Sequence, residues 1–198
     1  MRTFHSGGVA GEDITHGLPR VQELLEARNP KGRAVLAEID GTLQIKNSGD
    51  TKEISIHNKD GEVRTYKVSS RTQLYKGLKD KDQVHVGQQI TRGSVNPNEL
   101  LELTDAATTL GYIVNEVQDV YVSQGVEIND KHIEVIARQM LNKKFVIEAG
   151  DSNLIPGSQV NRYTFDKIAS ECIEEGKKAP IGRDVLLGLT KASLSTDS

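Results

Sequence analysis

The spacing of apolar residues changes from helical to alternating near residue 33 and returns to helical after residue 97, and these changes constrain the fold more than any other feature of the sequence. Over residues 33–95 apolar side chains recur at every second position, as in a strand with one buried face. Beyond residue 97 they recur every three to four positions, as in a helix with one buried face. We therefore predict an α+β fold, with a small antiparallel β module over residues 32–95 and a mainly helical region with short strands over residues 96–198.

Two Asp-Gly pairs divide the β module into alternating runs. They lie at residues 40–41 and 60–61, and an Asp-Gly pair between such runs is a strong signal for a hairpin turn. Residues 78–94 have a strand–turn–strand pattern. His85 alternates there with two valines, so we expect its side chain to face solvent.

The helical region is predicted to contain a helical hairpin. Its first helix carries an apolar stripe that ends near Tyr121, and Gly125 stops it. Asn129 or Asp130 caps the second helix. Such a pair raises the question of a helix-turn-helix. The exposed face of the second helix mixes both signs of charge, which disfavours DNA reading: Lys131, Glu134, Arg138 and Gln139. Further along we predict a strand at 145–147, a loop at 153–158, a helix at 163–175 and a buried apolar run at 185–189.

The first 31 residues are predicted to form a separate unit. Residues 1–17 lack apolar periodicity and contain four glycines, so we expect a flexible segment. A helix follows, with Pro19 in its first turn, where a missing N–H costs nothing. Pro30 and Gly32 end that helix.

Composition excludes several classes of protein. The 36% hydrophobic and 4% aromatic content is low for one compact globule, and is typical of extended parts or of a piece of a larger assembly. The net charge of -3 does not draw the chain to nucleic acid or membrane by bulk electrostatics. No apolar run approaches the roughly 20 residues that span a bilayer, so we expect a soluble, cytoplasmic chain.

The cysteine and histidine content argues against a resident metal. A single cysteine, Cys172, excludes an internal disulfide and a multi-cysteine zinc site. It lies in a predicted helix, where a partly buried, inert thiol is expected. The five histidines lack the i,i+4 spacing of helical metal ligands. We predict no bound metal.

One constellation can carry chemistry. If residues 1–5 are helical, Met1, Arg2 and His5 share one face, and a soft apolar group, a cation and an imidazole there could address the base and phosphates of a nucleotide together. From the residues alone, a solvated basic helix end remains an alternative. Residues 7–8, a Gly-Gly pair, do not form a phosphate loop, because neither a preceding strand nor a following Gly-Lys-Ser/Thr is present.

The order of the segments resembles a known family. Residues 1–28, MRTFHSGGVAGEDITHGLPRVQELLEAR, resemble the trigger loop of the β′ subunit of bacterial RNA polymerase and the helix after it. The resemblance continues in the family's order through residues 112–121, 125–140 and 187–194, and covers essentially the whole chain. The β module looks like the jaw region of that family.

The boundaries of the resemblance carry expectations of their own. The chain begins inside one trigger helix and stops where the subunit would continue, so it looks like a fragment. No large domain interrupts the trigger loop after its Gly-Gly pair. In this family that pattern is typical of bacteria of the Gram-positive kind.

The resemblance also implies site residues, cofactors and partners. In the family the trigger helix closes over the incoming nucleoside triphosphate, and the positions matching Met1, Arg2 and His5 contact its base or its phosphates. His5 and Arg2 would be catalytic, with His5 beside the β-phosphate as a positional and electrostatic catalyst. The family's aspartate-rich Mg²⁺ loop and zinc cysteines have no counterpart here, so Mg²⁺ and structural Zn²⁺ are expected only in the intact enzyme. The implied partners are other polymerase subunits, template DNA and RNA.

The hypothesis is therefore a fragment of a subunit that catalyses DNA-templated RNA synthesis, supplying half of the trigger loop and the jaw and inactive in isolation. The alternative is a non-catalytic scaffold or interaction module that binds protein partners or downstream DNA. An independent hydrolase is a third hypothesis. It would need Ser6, His5 and Asp13 as a rigid set, which a glycine-rich segment does not provide.

Overall fold

The structure is a computed structural model that describes residues 17–195. Over these residues helices alternate with two antiparallel sheets, which confirms the predicted α+β class. No helix among them is long and apolar enough to cross a membrane. In chain order the elements are α1 (Leu18–Leu25), β1 (Gly41–Ser48), β2 (Thr51–His57), β3 (Val63–Ser69), β4 (Gln83–Val84), α2 (Pro97–Leu103), α3 (Ala106–Ser123), α4 (Asp130–Met140), β5 (Lys143–Glu148), β6 (Gln159–Asn161), α5 (Arg162–Glu174), β7 (Ile181–Val185) and α6 (Leu189–Leu194).

The β module is built on a four-stranded antiparallel sheet in the order β3-β2-β1-β4. Leu43 on β1 pairs with Ile56 on β2, and both side chains are fully buried. The alternation seen in the sequence places these residues on one face of the sheet. They form one apolar core with Ala37, Ile39, Ile54, Val84 and Ile90.

Only one of the two Asp-Gly pairs forms a hairpin turn. Gly61, with φ 85°, lies in the turn between β2 and β3. The predicted turn at residues 40–41 is wrong, because Gly41 begins β1 and pairs with Val84. A Cβ on Gly41 would lie 2.4 Å from the His57 carbonyl oxygen, so glycine there permits close strand approach. The β1–β2 hairpin turns instead at Gly49, with φ 58°.

The strand–turn–strand prediction for residues 78–94 is largely wrong. Only β4 is a regular strand in this range, and single bridges such as Leu36 to Gln89 and Leu74 to Thr91 replace the rest. The chain there pairs with several short segments in turn instead of forming one long strand. His85 follows β4 and is exposed, as predicted.

The helical hairpin is confirmed. α3 and α4 pack with α1 around one core, and Asn129 caps α4 by accepting a hydrogen bond from the Lys131 amide. α2 is an element that the apolar spacing did not predict separately. It begins at Pro97, with the Asn96 side chain as its cap. The core consists of Val21, Leu24, Ile113, Val114, Val117, Val120, Ile133, Ala137 and Met140.

The last part of the described chain is a three-stranded sheet in the order β6-β5-β7, with α5 against it. Cys172 on α5 is 7% exposed, so the predicted burial is confirmed. The apolar run at 185–189, predicted to be buried, is only partly buried apart from Gly188, and it joins the end of β7 to the start of α6. Gly188 lies against the backbone of Glu26, where a Cβ would come within 2.5 Å of the carbonyl oxygen.

A small core joins the β module to the helices. Ala34 and Leu36 from the module pack with Val95 and with Leu100 of α2, and each is less than 9% exposed. Tyr112 of α3 covers this cluster. The module is therefore seated directly on the helices that follow it.

Candidate functional site

The residues singled out for nucleotide chemistry, Met1, Arg2 and His5, lie outside the described residues, as do Ser6 and Asp13. Their roles stay predictions. What the structure describes is the support that follows them, namely α1 and the elements packed against it.

The first described residue, Gly17, precedes α1 and lies in space beside the C-terminal end of α3. A Cβ on Gly17 would be 3.4 Å from the Gln124 side chain, and Gln124 is the C-cap residue of α3. Gly17 has φ 85°, a conformation that favours glycine. Pro19 follows in the first turn of α1. The start of α1 is thus defined by one turn residue and one residue of fixed φ.

A buried arginine lies in that first turn. Arg20 is 4% exposed, and its guanidinium pairs with Glu23 on the same helix. Its Nη2 donates to the Tyr112 hydroxyl at 2.9 Å and lies 3.7 Å from Glu116 Oε2. Because a guanidinium is stable away from water only when its donors meet acceptors, these contacts account for its burial.

Tyr112 connects α1 to the β module as well. Its hydroxyl oxygen accepts from Arg20 and also from the Val95 amide, at 3.3 Å. Burial raises the pKa of Tyr112 to about 12, and the nearby Glu116 carboxylate acts in the same direction. The phenol therefore loses its proton only at strongly alkaline pH. We refer to Arg20, Glu23, Tyr112, Glu116 and the Val95 amide as the Arg20 node.

The other end of α1 is held by the last described helix. Glu26 accepts a hydrogen bond from the Thr190 hydroxyl at 2.8 Å. The close approach of Gly188 to the Glu26 backbone lies beside this contact. α1 is consequently fixed at its start by α3 and at its end by α6.

A polar groove of about 810 Å³ lies between the β module and α3. Arg71 and Arg92 line it from the module, whereas Glu116 and Asp119 line it from α3. Arg20 lines it as well. Facing walls of opposite charge suit a polar partner with both signs of charge, rather than a uniformly charged polyanion.

The exposed face of α4 does not form a cationic surface. Arg138 lies 3.9 Å from Glu134 on the same face, and Lys131 is the further cation there. Such mixed charge disfavours docking against phosphates.

The described residues offer no clustered metal ligands. Within residues 17–195 no group of three or more His, Cys, Asp or Glu side chains is placed to hold a metal ion. The expectation that this chain binds no metal stays a prediction.

The Arg20 node was missed in the sequence, although a signal for it was present. Arg20 lies four residues before Leu24, on the same face of the helix, so it falls beside the apolar stripe of α1. On α3, Tyr112 likewise lies four residues before Glu116, so these two side chains share one face of that helix. A charged residue beside a buried stripe indicates a partner on the facing helix.

Comparison with known proteins identifies the class of protein to which this chain belongs. The family described as RNA polymerase Rpb1, domain 5, matches residues 1–197, and the chain belongs to that family. At the level of particular proteins, it is similar to the DNA-directed RNA polymerase subunit beta' of Acetivibrio thermocellus, with 50% identity over 198 residues. The corresponding subunits of Geobacillus kaustophilus and Bacillus subtilis are 50% and 49% identical over 199 residues.

These matches cover all of this chain but a small share of each relative. The share is 17% of the Acetivibrio thermocellus subunit and 16% of the other two. The resemblance to the β′ subunit of bacterial RNA polymerase that the sequence motifs carry is thereby confirmed.

Proposed function

We propose that this chain is the part of a bacterial RNA polymerase β′ subunit that supplies half of the trigger loop and the jaw in DNA-templated RNA synthesis. The observation that carries the proposal is 48–50% identity over the full chain to subunits named for that activity. The activity belongs to the assembled enzyme, a nucleotidyltransferase, and we expect the isolated chain to be inactive.

In this proposal the first residues contact the nucleoside triphosphate. Met1 and Arg2 contact its base or phosphates, and His5 lies beside the β-phosphate, where it stabilises the charge that develops on the leaving pyrophosphate. The catalytic Mg²⁺ and the structural Zn²⁺ are held by other parts of the enzyme. The partners are the remaining subunits, template DNA and RNA, in the cytoplasm.

The described fold supports this division of roles. α1 follows the proposed trigger segment directly and is held at both ends, by Tyr112 and Thr190. A catalytic segment that opens and closes needs a fixed base from which to move. The β module, which we propose is the jaw, is seated on the same helices through Ala34 and Leu36.

The test is a chimeric enzyme. The matching 199-residue stretch of the Bacillus subtilis subunit is replaced by this chain, the polymerase is reconstituted, and single-nucleotide addition is measured on a preassembled DNA–RNA scaffold. We expect a rate within about tenfold of the parent, a barrier change below about 1.4 kcal/mol. An assembled chimera that extends no RNA while its parent does so would contradict the proposal.

The scaffold alternative is favoured by the polar groove between the β module and α3. It is separated from the catalytic proposal by His5→Ala in the same chimera. If the scaffold alternative holds, the His5→Ala chimera adds nucleotides at the unsubstituted rate. If the catalytic proposal holds, the rate falls.

A further inference from the structure

The position of Arg20 is unfavourable for the helix that carries it. It lies in the first turn of α1, where the positive end of the helix dipole disfavours a cation. It is also 4% exposed, so its charge is removed from water. Helix stability therefore does not explain the residue.

The stability of the core does not explain it either. Replacing a buried ion pair by apolar residues of similar volume is often neutral or stabilising. An apolar side chain at position 20 would extend the stripe that Val21 and Leu24 already form. What a guanidinium adds is direction, because its donors are fixed in a plane and satisfy only acceptors in matching positions.

Those acceptors belong to two helices, α1 and α3, and one of them, the Tyr112 hydroxyl, also accepts from the end of the β module. Glu23 lies on α1, Tyr112 and Glu116 lie one turn apart on α3, and the Val95 amide that shares Tyr112 ends the β module. Rotating or sliding α1 against α3 would break the contact to Tyr112. The Arg20 node thus defines the rotation and the register of α1 relative to both neighbours.

We propose that Arg20 is a positioning residue for nucleotide addition, acting with Tyr112 to fix the start of α1, the helix that follows residues 1–16 along the chain. This inference rests on the proposed function. Misplacing a reacting group by about 1 Å can cost about 10²-fold in rate. Contacts made only in the reactive state affect kcat more than KM, so kcat is the quantity that the node controls.

The test uses reconstituted polymerase carrying Tyr112→Phe, which removes the shared acceptor and keeps the ring. Its matched control is Tyr66→Phe, because the Tyr66 hydroxyl also accepts a backbone amide, that of Glu38 at 3.1 Å, but within the β module. We expect kcat for single-nucleotide addition to fall about tenfold for Tyr112→Phe, with KM for the nucleotide nearly unchanged. The Tyr66→Phe control should keep the parental kcat.

Arg20→Lys provides a second variant, with Arg162→Lys as its control. Arg162 also pairs with a carboxylate, that of Asp184, at 2.7 Å, but it joins α5 to β7 and is not part of the Arg20 node. We expect kcat to fall for Arg20→Lys and not for Arg162→Lys. Active enzyme is titrated from the amplitude of the first addition. A loss of amplitude at unchanged kcat would mean that the node serves assembly only, and would overturn the inference.

Combination with His5→Ala separates the two proposals. If the Arg20 node acts through the segment that carries His5, the effects of Tyr112→Phe and His5→Ala are not additive, and the double variant is little slower than His5→Ala alone. Full additivity overturns the inference while leaving the proposed function intact. A His5→Ala enzyme with the parental rate instead refutes the catalytic part of the proposed function.

Discussion

The β module and the helices around α1 are held in place by different kinds of contact. The module buries an apolar core of residues that are close in sequence, such as Leu43, Ile54 and Ile56, in one antiparallel sheet. α1 also buries apolar residues, but its ends are held by polar contacts to Tyr112 and Thr190. These partners are 92 and 164 residues away along the chain.

This difference means that the contacts that stabilise the fold are distinct from the contacts that fix the position of α1. An apolar core is non-directional, so it stabilises the sheet without specifying small displacements. Buried hydrogen bonds are directional and specify one arrangement. We therefore expect substitutions in the β module to change unfolding, and substitutions around α1 and the segment before it to change the reaction.

The largest expected effect on the reaction comes from His5→Ala. Loss of a positioned proton donor or charge costs about 10²-fold or more in the rate of nucleotide addition at saturating substrate. His5→Gln keeps a donor near the phosphate and should be slowed less if the role is positional. The measurement is single-nucleotide addition by reconstituted polymerase across pH. Equal rates for the Gln and Ala variants would favour proton donation, and a parental rate for His5→Ala would refute the assignment.

Ile54→Ala should produce the largest change in stability without a comparable change in the reaction. The side chain is fully buried at the centre of the β module core, so its truncation costs about 2–5 kcal/mol of unfolding free energy. Urea denaturation of the 198-residue chain measures this loss. The control is Val63→Ala, at a position that is 46% exposed on β3. Similar losses for the two variants would show that the module lacks a specific core.

Tyr112 should make stability depend on alkaline pH. Its pKa is raised from 10.0 to about 12 in the folded chain. The stabilisation is therefore complete below pH 10 and is lost as the pH rises through about 12, because the unfolded chain ionises first. The loss amounts to about 2–3 kcal/mol. Denaturation of the wild type and Tyr112→Phe between pH 9 and about 12 checks it, since the variant should lack this component.

Tyr66 is the tyrosine of the β module that corresponds to Tyr112. Burial raises its pKa too, but it is only partly buried, at the rim of the β module. Tyr66→Phe should remove a smaller part of the alkaline pH dependence than Tyr112→Phe. A larger effect for Tyr66 would mean that the Arg20 node is open to water in solution.

The smallest expected effect is that of Asn129→Ala. The Asn129 side chain accepts from the Lys131 amide and caps α4, and loss of such a cap costs about 1 kcal/mol. Denaturation measures the change, while nucleotide addition by the reconstituted enzyme should stay at the parental rate. A fall in that rate larger than the one caused by Tyr112→Phe would break the proposed link between α1 and the reaction.

Local patterns predicted much of this fold. The apolar repeat located α3 and α4, and the turn residues located the loop between β2 and β3. The turn at Gly41 was mispredicted because a glycine needed for close strand approach carries the same local signal as one needed for a turn. The bridges of residues 78–94 were also missed, because their partners are distant in sequence.

The candidate site also has a part that the sequence predicted and a part that it did not. The side chains expected to contact nucleotide, Met1, Arg2 and His5, are defined by their order and by the family to which the chain belongs. The contacts that hold α1, the helix that follows them, were not predicted. The place of Arg20 beside the apolar stripe of α1 indicates a partner on a facing helix, but nothing near it in sequence provides the Tyr112 hydroxyl.

Element type therefore follows from the residues themselves, since the strand and helix repeats depend on neighbours two to four positions away. The burial of Arg20 follows only from packing α1 against α3, which brings acceptors from 92 and 96 residues away to one guanidinium. Desolvation of that charge is tolerated only once all of these acceptors are in place. The geometry of the node is thus a property of the folded chain, although each of its side chains is visible in the sequence.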